Sequence, residues 1–550
     1  MSGEFCLAQE IISAQSVVIE ESAPQNDSFS EQAGVARASS IVALGNISSR
    51  ILGLVREIIL SNLFGAGAAV DAFKLAIIIP RSLYDLLIGG HVNSALIPVM
   101  SEYAHRQNRE DLWELVNALL GAVIVILLGL VLVIEVGAEA LIRLAAGNER
   151  PETLAQAVNM LRLTTPALLF LSLFAVLSGL LYALRRFTLP AFGATVFNLM
   201  IVVTTILLAD QIGIRAAALG WLLGAIVQAT IQLLQLRDAK LWPKFRGILA
   251  HRGVRTIGLL YLPVMASLAL DVLVNRFFSY SLAFRTGESN ISYMEWGTTL
   301  IQFPHGLVAT AISIAVLPTL SRQAASQDNH ATDDYKNTLG FGLRLATVLI
   351  LPATIGLFVL ATPVVALIFE HGKFTPQDTE ATVDVLRLYL IGLPFATIDL
   401  LLVFAFYARQ DTLTPALIGL ITLIAYMFTA IALLPYIGFL SLMVADSVKH
   451  ILHSSISSGI LLRRIGHMRD QRLFDTGIRT LIAATIMGAI TYVVMQFFLR
   501  QLPTSTLLAE IIHVSVPALV GMLTFALVGY ILRLQELQWF FGFLRRRVKL

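Results

Sequence analysis

One cysteine, Cys6, occurs in 550 residues. An intrachain disulfide, a CxxC redox pair and a cysteine-built metal site are therefore excluded. Charge is also scarce. Asp, Glu, Lys and Arg together make up 14% of the chain, against about 25% in an average soluble domain. So few charges could not cover the surface of a protein folded in water. The 39 basic and 36 acidic side chains leave a formal charge of +3, too small to call for nucleic acid or another anionic polymer as a partner. Enzyme signatures are missing too. The only Gly-Lys pair, Gly372-Lys373, is followed by Phe374 rather than Ser or Thr, so there is no P-loop, and no HExxH occurs. No large polar insertion is available to house an active site.

What the chain has instead is hydrophobic length. Hydrophobic residues make up 57% and the mean hydropathy is +0.77. Apolar runs near twenty residues recur from about Ile41 onward, which predicts an all-α polytopic membrane protein. Breaks at Gly, Pro and charge clusters divide the chain into fourteen spans. They lie at about 39–63, 69–103, 113–146, 153–184, 188–209, 213–236, 255–284, 291–322, 337–370, 378–408, 413–434, 437–463, 476–499 and 507–532. Residues 1–37 are acidic, with Arg37 the first base, and lack the basic start and apolar stretch of a signal peptide. They are expected to form a disordered cytoplasmic tail. Residues 534–550 read as a basic amphipathic tail ending in Arg545, Arg546, Arg547 and Lys549, suited to an anionic membrane face.

Loop charge sets the orientation. With the N-terminus inside, the inner loops and tail carry twenty-three Lys and Arg and the outer loops five (Arg150, Arg215, Arg285, Lys373 and Arg500). The positive-inside rule favours this arrangement, with both termini cytoplasmic.

Two marks recur along the chain. Ala95-Leu-Ile-Pro98-Val-Met-Ser101 resembles Ala315-Val-Leu-Pro318-Thr-Leu-Ser321, 220 residues on. Tyr182-Ala183 with Pro190-Ala191 resembles Tyr407-Ala408 with Pro415-Ala416, 225 residues on. The offsets superpose span 2 on span 8 and the 4–5 turn on the 10–11 turn. Two parallel six-helix lobes are expected, residues 38–237 and 238–464, followed by a separate pair of helices in 465–533. Parallel repeats of this kind suit transporters whose site lies between the halves.

Ionisable residues within spans are costly and point to function. In span 1, Asn46, Arg50, Gly53 and Glu57 fall on one helical stripe with Arg56 on its flank. Span 2 adds Asp71, Lys74, Arg81 and Asp85 and breaks at Gly89-Gly90; span 7 carries Asp271, Asn275 and Arg276. Two arginines on one span suggest an anion site, since guanidinium forks match phosphate and carboxylate. Asn46, Arg50, Arg56, Asp71, Arg81 and Arg276 are the candidate substrate contacts. In span 12, Asp446, His450 and His453 share one face and are candidates for coupling transport to an ion. The competing reading makes Asp446 with Lys449 or His450 a simple intrahelical tie. Gly89, Gly90 and Pro304 are the candidate hinges. No metal site and no cofactor is expected.

Several motifs resemble the MurJ (MviN) family of lipid II flippases in the MOP exporter superfamily. They are Ser49-Arg50-Ile51-Leu52-Gly53-Leu54-Val55-Arg56-Glu57, Phe64-Gly65-Ala66-Gly67 with Asp71-Ala72-Phe73, and Arg186-Phe187-Thr188-Leu189-Pro190-Ala191-Phe192 with Asn198. Further on come Phe303-Pro304 with Gly306, Gly372-Lys373-Phe374-Thr375, and Phe406-Tyr407-Ala408-Arg409-Gln410-Asp411 with Thr414-Pro415. The resemblance implies fourteen helices, two lobes around a central cavity, and a terminal pair forming a groove for a lipid tail. It also implies movement of lipid-linked peptidoglycan precursor to the outer leaflet of the inner membrane, with Arg50 and Arg56 as cavity arginines. Where the family tends to carry a further cavity arginine, this chain has Tyr84. Where the family tends to carry an acid–Arg pair before the Phe-Pro of span 8, it has Thr298 and Thr299. Either Arg81 and Arg276 substitute from nearby positions, or the substrate differs. The expected partners are a polyprenyl-pyrophosphate-linked glycan and the bilayer, acting on a monomer, with H+ or Na+ as possible coupling ions. Alternatives are a flippase for another polyprenyl-linked glycan, such as an O-antigen or capsule unit, and a cation-coupled drug exporter. A membrane enzyme such as a polyprenyl-sugar transferase is disfavoured by the short, basic inner loops.

Overall fold

The computed structural model describes residues 25–87, 92–105, 109–147, 150–237, 239, 241–246, 251–326, 330–502 and 506–537. The expected hinge at Gly89 and Gly90, Cys6 and the basic residues of the C-terminal tail lie outside them.

The described chain is helical. In order the helices are α1 (Gln25–Phe64), α2 (Ala68–Leu87), α3 (Val92–His105), α4 (Arg109–Ala146), α5 (Pro151–Thr164), α6 (Ala167–Ala183), α7 (Thr188–Ile212) and α8 (Arg215–Gln235). Then come α9 (Arg252–Ala269), α10 (Arg276–Thr286), α11 (Asn290–His305), α12 (Ala311–Ala325), α13 (Ala331–Val359) and α14 (Ala361–Phe369). The last five are α15 (Pro376–Ala408), α16 (Leu413–Ile437), α17 (Ser441–Ile465), α18 (Leu473–Gln501) and α19 (Leu507–Ile531). The first helix begins thirteen residues before the expected boundary at 38. Residues 25–37 of the expected disordered tail are therefore helical, and residues 1–24 lie outside the described residues.

Ten helical segments among the described residues are long and apolar enough to cross a membrane. The expected number was fourteen: spans 1, 2 and 7 are not among the ten, and spans 11 and 12 count as one. Arg50, Arg56 and Glu57 interrupt the first span, and Asp71, Lys74, Arg81 and Asp85 the second. Leu413–Ile465 counts as one segment, although α16 and α17 are separate helices packed together across Gly438.

Several spans are broken. Expected span 4 divides into α5 and α6 at Thr165-Pro166. Expected span 7 passes through a π-helical turn at Leu270–Asn275, and expected span 8 through another at Gly306–Thr310. Pro304, the third candidate hinge, stands just before this second turn. π-turns inside helices frequently mark functional positions.

The backbone repeats at the offset of the sequence marks. Arg185 and Gln410, 225 residues apart, both take left-handed conformations with φ of 58° and 60°. Each follows the same turn: Arg186 N–H donates to Leu181 O (2.8 Å) and Asp411 N–H to Phe406 O (3.0 Å). The helices that follow end at Gly213 and Gly438, with nearly identical φ, ψ of 61°, −145° and 58°, −141°. Both are positive-φ positions that glycine adopts without strain.

One core of buried residues runs through both lobes and includes Phe73, Trp221, Phe284, Trp296 and Phe369. A second lies between α13, α15 and α17 around Tyr335 and Phe406. A third joins α13 to α18 and α19 through Val348, Ala484, Met487 and Phe525. The last two helices thus pack on the second lobe among the described residues. In the first lobe α1 lies tightly along α7, where a Cβ at Gly45 would overlap the Ala191 carbonyl.

Candidate functional site

A cavity of about 610 Å³ lies between the lobes. The stripe predicted on α1 supplies one wall, because residues three and four apart share a helical face. Arg50, Gly53, Arg56 and Glu57 line it, but Asn46, one turn before Arg50 and exposed, does not. Arg81 of α2 and Asn198 of α7 complete the first-lobe side. Facing them are Asn275 and Arg276, Tyr280, Glu295, Thr298, Thr299 and Gln302, with Tyr389, Tyr426, Asp446 and His450 from α15, α16 and α17. Four expected arginines therefore meet in one chamber, and the two threonines that replace the family's acid–Arg pair face it as well. Tyr84 lies outside the lining, packed against the core.

Each arginine is held differently. Arg56 donates to Glu57 (2.8 Å) and to the side-chain amide oxygen of Asn198 (3.0 Å), which fixes it between α1 and α7. Arg276 is paired with Asp85 (2.7 Å). Arg50 reaches across the gap and donates to the Gln302 carbonyl of α11 (3.2 Å). Arg81 is exposed to the cavity and makes no hydrogen bond or ion pair among the described residues. Arg50 and Arg81 thus offer guanidinium edges to an incoming anion, while Arg56 and Arg276 are pre-oriented by partners.

At one end of the cavity lies a charged cluster that the sequence showed only as separate residues. Lys74 is buried and bridges Glu57 (3.0 Å) and Glu295 (2.7 Å). Its ammonium also stands 5.3 Å from the Trp296 ring centre, and the Trp296 indole N–H donates to Glu57 (3.2 Å). Tyr280 donates to the other oxygen of Glu295. A buried charge is tolerated when paired and hydrogen-bonded, and these contacts satisfy Lys74 from both lobes.

Beyond the cluster the lobes are latched. Asp71 does not reach the cavity and is fully buried. It accepts from Ser289 N–H (2.8 Å), Ser292 N–H (3.2 Å) and Ser292 hydroxyl (2.8 Å). The expectation that it contacts substrate is corrected: its carboxylate ties α2 to the start of α11. Ala68 N–H donates to Glu288 (2.9 Å) nearby. The Gly372-Lys373 turn meets the end of α1, Lys373 N–H donating to Asn62 O (2.8 Å). Gly65 (φ 65°) and Gly372 (φ 63°) make this approach possible: a Cβ on Gly65 would lie 2.6 Å from Lys373 O, and one on Gly372 would overlap Asn62.

The three coupling candidates separate. Asp446 and His450 line the cavity. Asp446 is tied to Lys449 (2.6 Å) and lies 3.7 Å from His450, which is the intrahelical pairing the spacing allowed. His453 does not line the cavity; it pairs with Asp399 of α15 and also meets Ser457 (3.3 Å). Sequence reasoning named His453 but not this pair, because the contact joins two helices. Among the described residues no cluster of three or more His, Cys, Asp or Glu could hold a metal ion.

A two-lobed helical bundle around an arginine-lined chamber, with one end latched, defines a membrane transporter. The sequence profile described as "Lipid II flippase MurJ" matches residues 60–513, and the chain belongs to that family of transporters rather than to any enzyme class. It is 29% identical over 477 residues to a probable lipid II flippase MurJ of Haemophilus influenzae, covering 82% of this chain and 93% of that protein. It is also 29% identical over 430 residues to the lipid II flippase MurJ of Burkholderia cenocepacia, covering 76% and 82%. Among solved structures it is similar to a lipid II flippase MurJ in an inward closed conformation, with a TM-score of 0.74 and 22% identity over 90% of this chain and 99% of that one. A multidrug resistance MATE transporter of the MOP superfamily in an inward-facing conformation is similar at a TM-score of 0.63 and 15% identity, covering 77% and 96%. These likenesses show that the chain shares its fold with both transporters.

Proposed function

We propose that this protein moves lipid II from the inner to the outer leaflet of the cytoplasmic membrane by alternating access, with both termini cytoplasmic and one chain as the working unit. The observation that carries this reading is the convergence of Arg50, Arg56, Arg81 and Arg276 on one chamber between lobes of a MurJ-family chain. The headgroup's pyrophosphate and carboxylates need fixed cations to replace their water in crossing hydrocarbon. Arg81 supplies a free donor edge, Arg50 supplies one shared with the Gln302 carbonyl, and Arg56 and Arg276 hold the orientation. The polyprenyl tail stays in lipid or along α18 and α19, whose outer faces expose Ile482, Val493, Leu519 and Leu523. A cation-coupled drug exporter is the poorer fit, because the chain matches the lipid II flippase family over residues 60–513.

For coupling we propose a proton carried by Asp446 and His450. His450 faces the cavity, and its Nδ1 is buried without a hydrogen-bond partner among the described residues.

The test is exposure of lipid II at the outer leaflet in cells depleted of their own flippase, with this protein or its Arg50→Ala variant supplied at equal membrane levels. Wild-type protein should restore exposure and growth, and the variant should not. Failure of well-expressed wild-type protein would assign another polyprenyl-linked glycan. A flipping rate indifferent to the pH gradient would remove the proton.

A further inference from the structure

A second cavity of about 610 Å³ lies away from the lobe interface, where α13, α14 and α15 meet the terminal pair α18 and α19. Its wall is largely apolar, and Tyr492 and Leu499 at its margin are on the exposed face of α18. Ionisable groups project into it from three helices. Arg387 of α15 stacks over Phe358, 5.5 Å from the ring centre, and its Nε is buried without a partner among the described residues. His513 of α19 is 2% exposed, and its Nε2 is likewise orphaned. Glu510, one turn before, has a buried Oε2 with no hydrogen bond, His371 being 3.9 Å away. Glu370, at the end of α14, is oriented by the Thr379 hydroxyl (2.5 Å). Orphaned polar atoms are rare in folded proteins because each forfeits its solvation, and ionisable groups at membrane depth are functional by default.

We propose that this pocket binds the headgroup of a zwitterionic phospholipid bearing a primary amine. The guanidinium of Arg387, with the His513 imidazole, receives the phosphodiester. The carboxylates of Glu510 and Glu370 receive the ammonium, and the acyl chains leave past Tyr492 and Leu499 into the bilayer. The charge pattern selects this ligand. Two carboxylates beside one guanidinium disfavour a pyrophosphate or an anionic glycerol headgroup, whereas a zwitterion matches both signs. Carboxylate acceptors also favour an ammonium with N–H donors over a trimethylated one, which has none. The volume suits a small amphiphile. Bound there, the lipid bridges the terminal helix pair to the second lobe. The proposal requires only that the chain is embedded in a bilayer, so it stands or falls apart from the transport reading.

The test uses the full-length protein in nanodiscs of phosphatidylcholine doped with phosphatidylethanolamine, phosphatidylglycerol or undecaprenyl phosphate, and native mass spectrometry reads the lipid retained. Phosphatidylethanolamine should be held about tenfold better than the other lipids, and Glu510→Gln should reduce that preference about tenfold, the loss of one charge-assisted contact. Arg387→Gln should weaken retention of every phosphodiester lipid. Equal retention of all lipids, preference for phosphatidylglycerol, or displacement by undecaprenyl phosphate would overturn the proposal. Should either variant fail to fold, a phosphatidylethanolamine with a photoreactive group near its headgroup decides on wild-type protein. Labelling of the segment around Tyr492–Gln496, competed by phosphatidylethanolamine but not phosphatidylcholine, supports the site; labelling elsewhere refutes it.

Discussion

Gly306 is the surface against which the Arg50 guanidinium rests: a Cβ at this position would overlap Arg50 Nη1. The glycine opens the π-helical turn just after Pro304, and the arginine belongs to the opposite lobe. Gly306→Ala should therefore displace Arg50 without touching its charge. The obstructing atom is the end of a flexible side chain, so stability should change by less than about 1 kcal/mol. Flipping should fall well below wild type, though less than in Arg50→Ala. Unfolding temperature and lipid II exposure, measured on the same preparation, separate the two effects. A wild-type flipping rate would show that the placement of Arg50 is not limiting.

Lys74 sits between two carboxylates from different lobes. Lys74→Met leaves Glu57 and Glu295 facing each other without their shared cation. Breaking a buried pair in this way costs about 3–5 kcal/mol. Thermal unfolding should show that loss, and adding Glu295→Gln to Lys74→Met should recover part of it. Additive losses in the double variant would mean that the three groups do not act as a unit.

The end latch rests on a main-chain bond between Asn62 and Lys373. Asn62→Cys with Lys373→Cys, in a background with Cys6 replaced, should be joined by a short bifunctional thiol reagent. Transport should stop on crosslinking and resume when a cleavable linker is cut. Unimpaired flux in the crosslinked protein would show that these ends do not part during the cycle.

Asp411 lies in the turn between α15 and α16. Partial burial favours its neutral form, but the Thr414 hydroxyl (2.6 Å), the Thr414 N–H (2.9 Å) and Arg464 outweigh it. They lower its pKa from the ordinary 3.8 to about 2. The unfolded chain therefore takes up a proton here before the folded one does. Asp411 contributes stability that is present above about pH 4 and is lost as pH falls toward 2. Asp411→Asn should be less stable than wild type at pH 7, and the gap should narrow below pH 4. A gap independent of pH would remove the ion pair as its cause.

Much of this arrangement was legible in the sequence, for identifiable reasons. Hydropathy located the helices because a buried apolar span leaves a long, local signal. The spacing of Arg50 and Arg56 placed both on one wall because helical periodicity is also local. Arg81 and Arg276 were legible as charges that hydrocarbon would not tolerate. Asp71 satisfied the same rule and was misread. Cost alone does not distinguish a carboxylate facing a cavity from one facing the backbone N–H groups of Ser289 and Ser292. The Lys74 cluster and the Asn62–Lys373 latch depend on contacts across more than two hundred residues, which no local pattern encodes. Arg387, Glu510 and His513 carried the same intramembrane signal as the cavity residues, but their convergence appears only when α15 and α19 are side by side.

The bond from Arg50 to the Gln302 carbonyl has a further consequence. It joins the lobes through the very donor that an anionic headgroup would seek. Cargo and closure therefore compete for one guanidinium, and an arriving anion must displace the carbonyl before it can be gripped. In the proposed cycle, binding would loosen the lobes as the chamber fills, so the ligand would act as a key to the motion that carries it. An empty transporter would keep that donor occupied, which would discourage idle cycling.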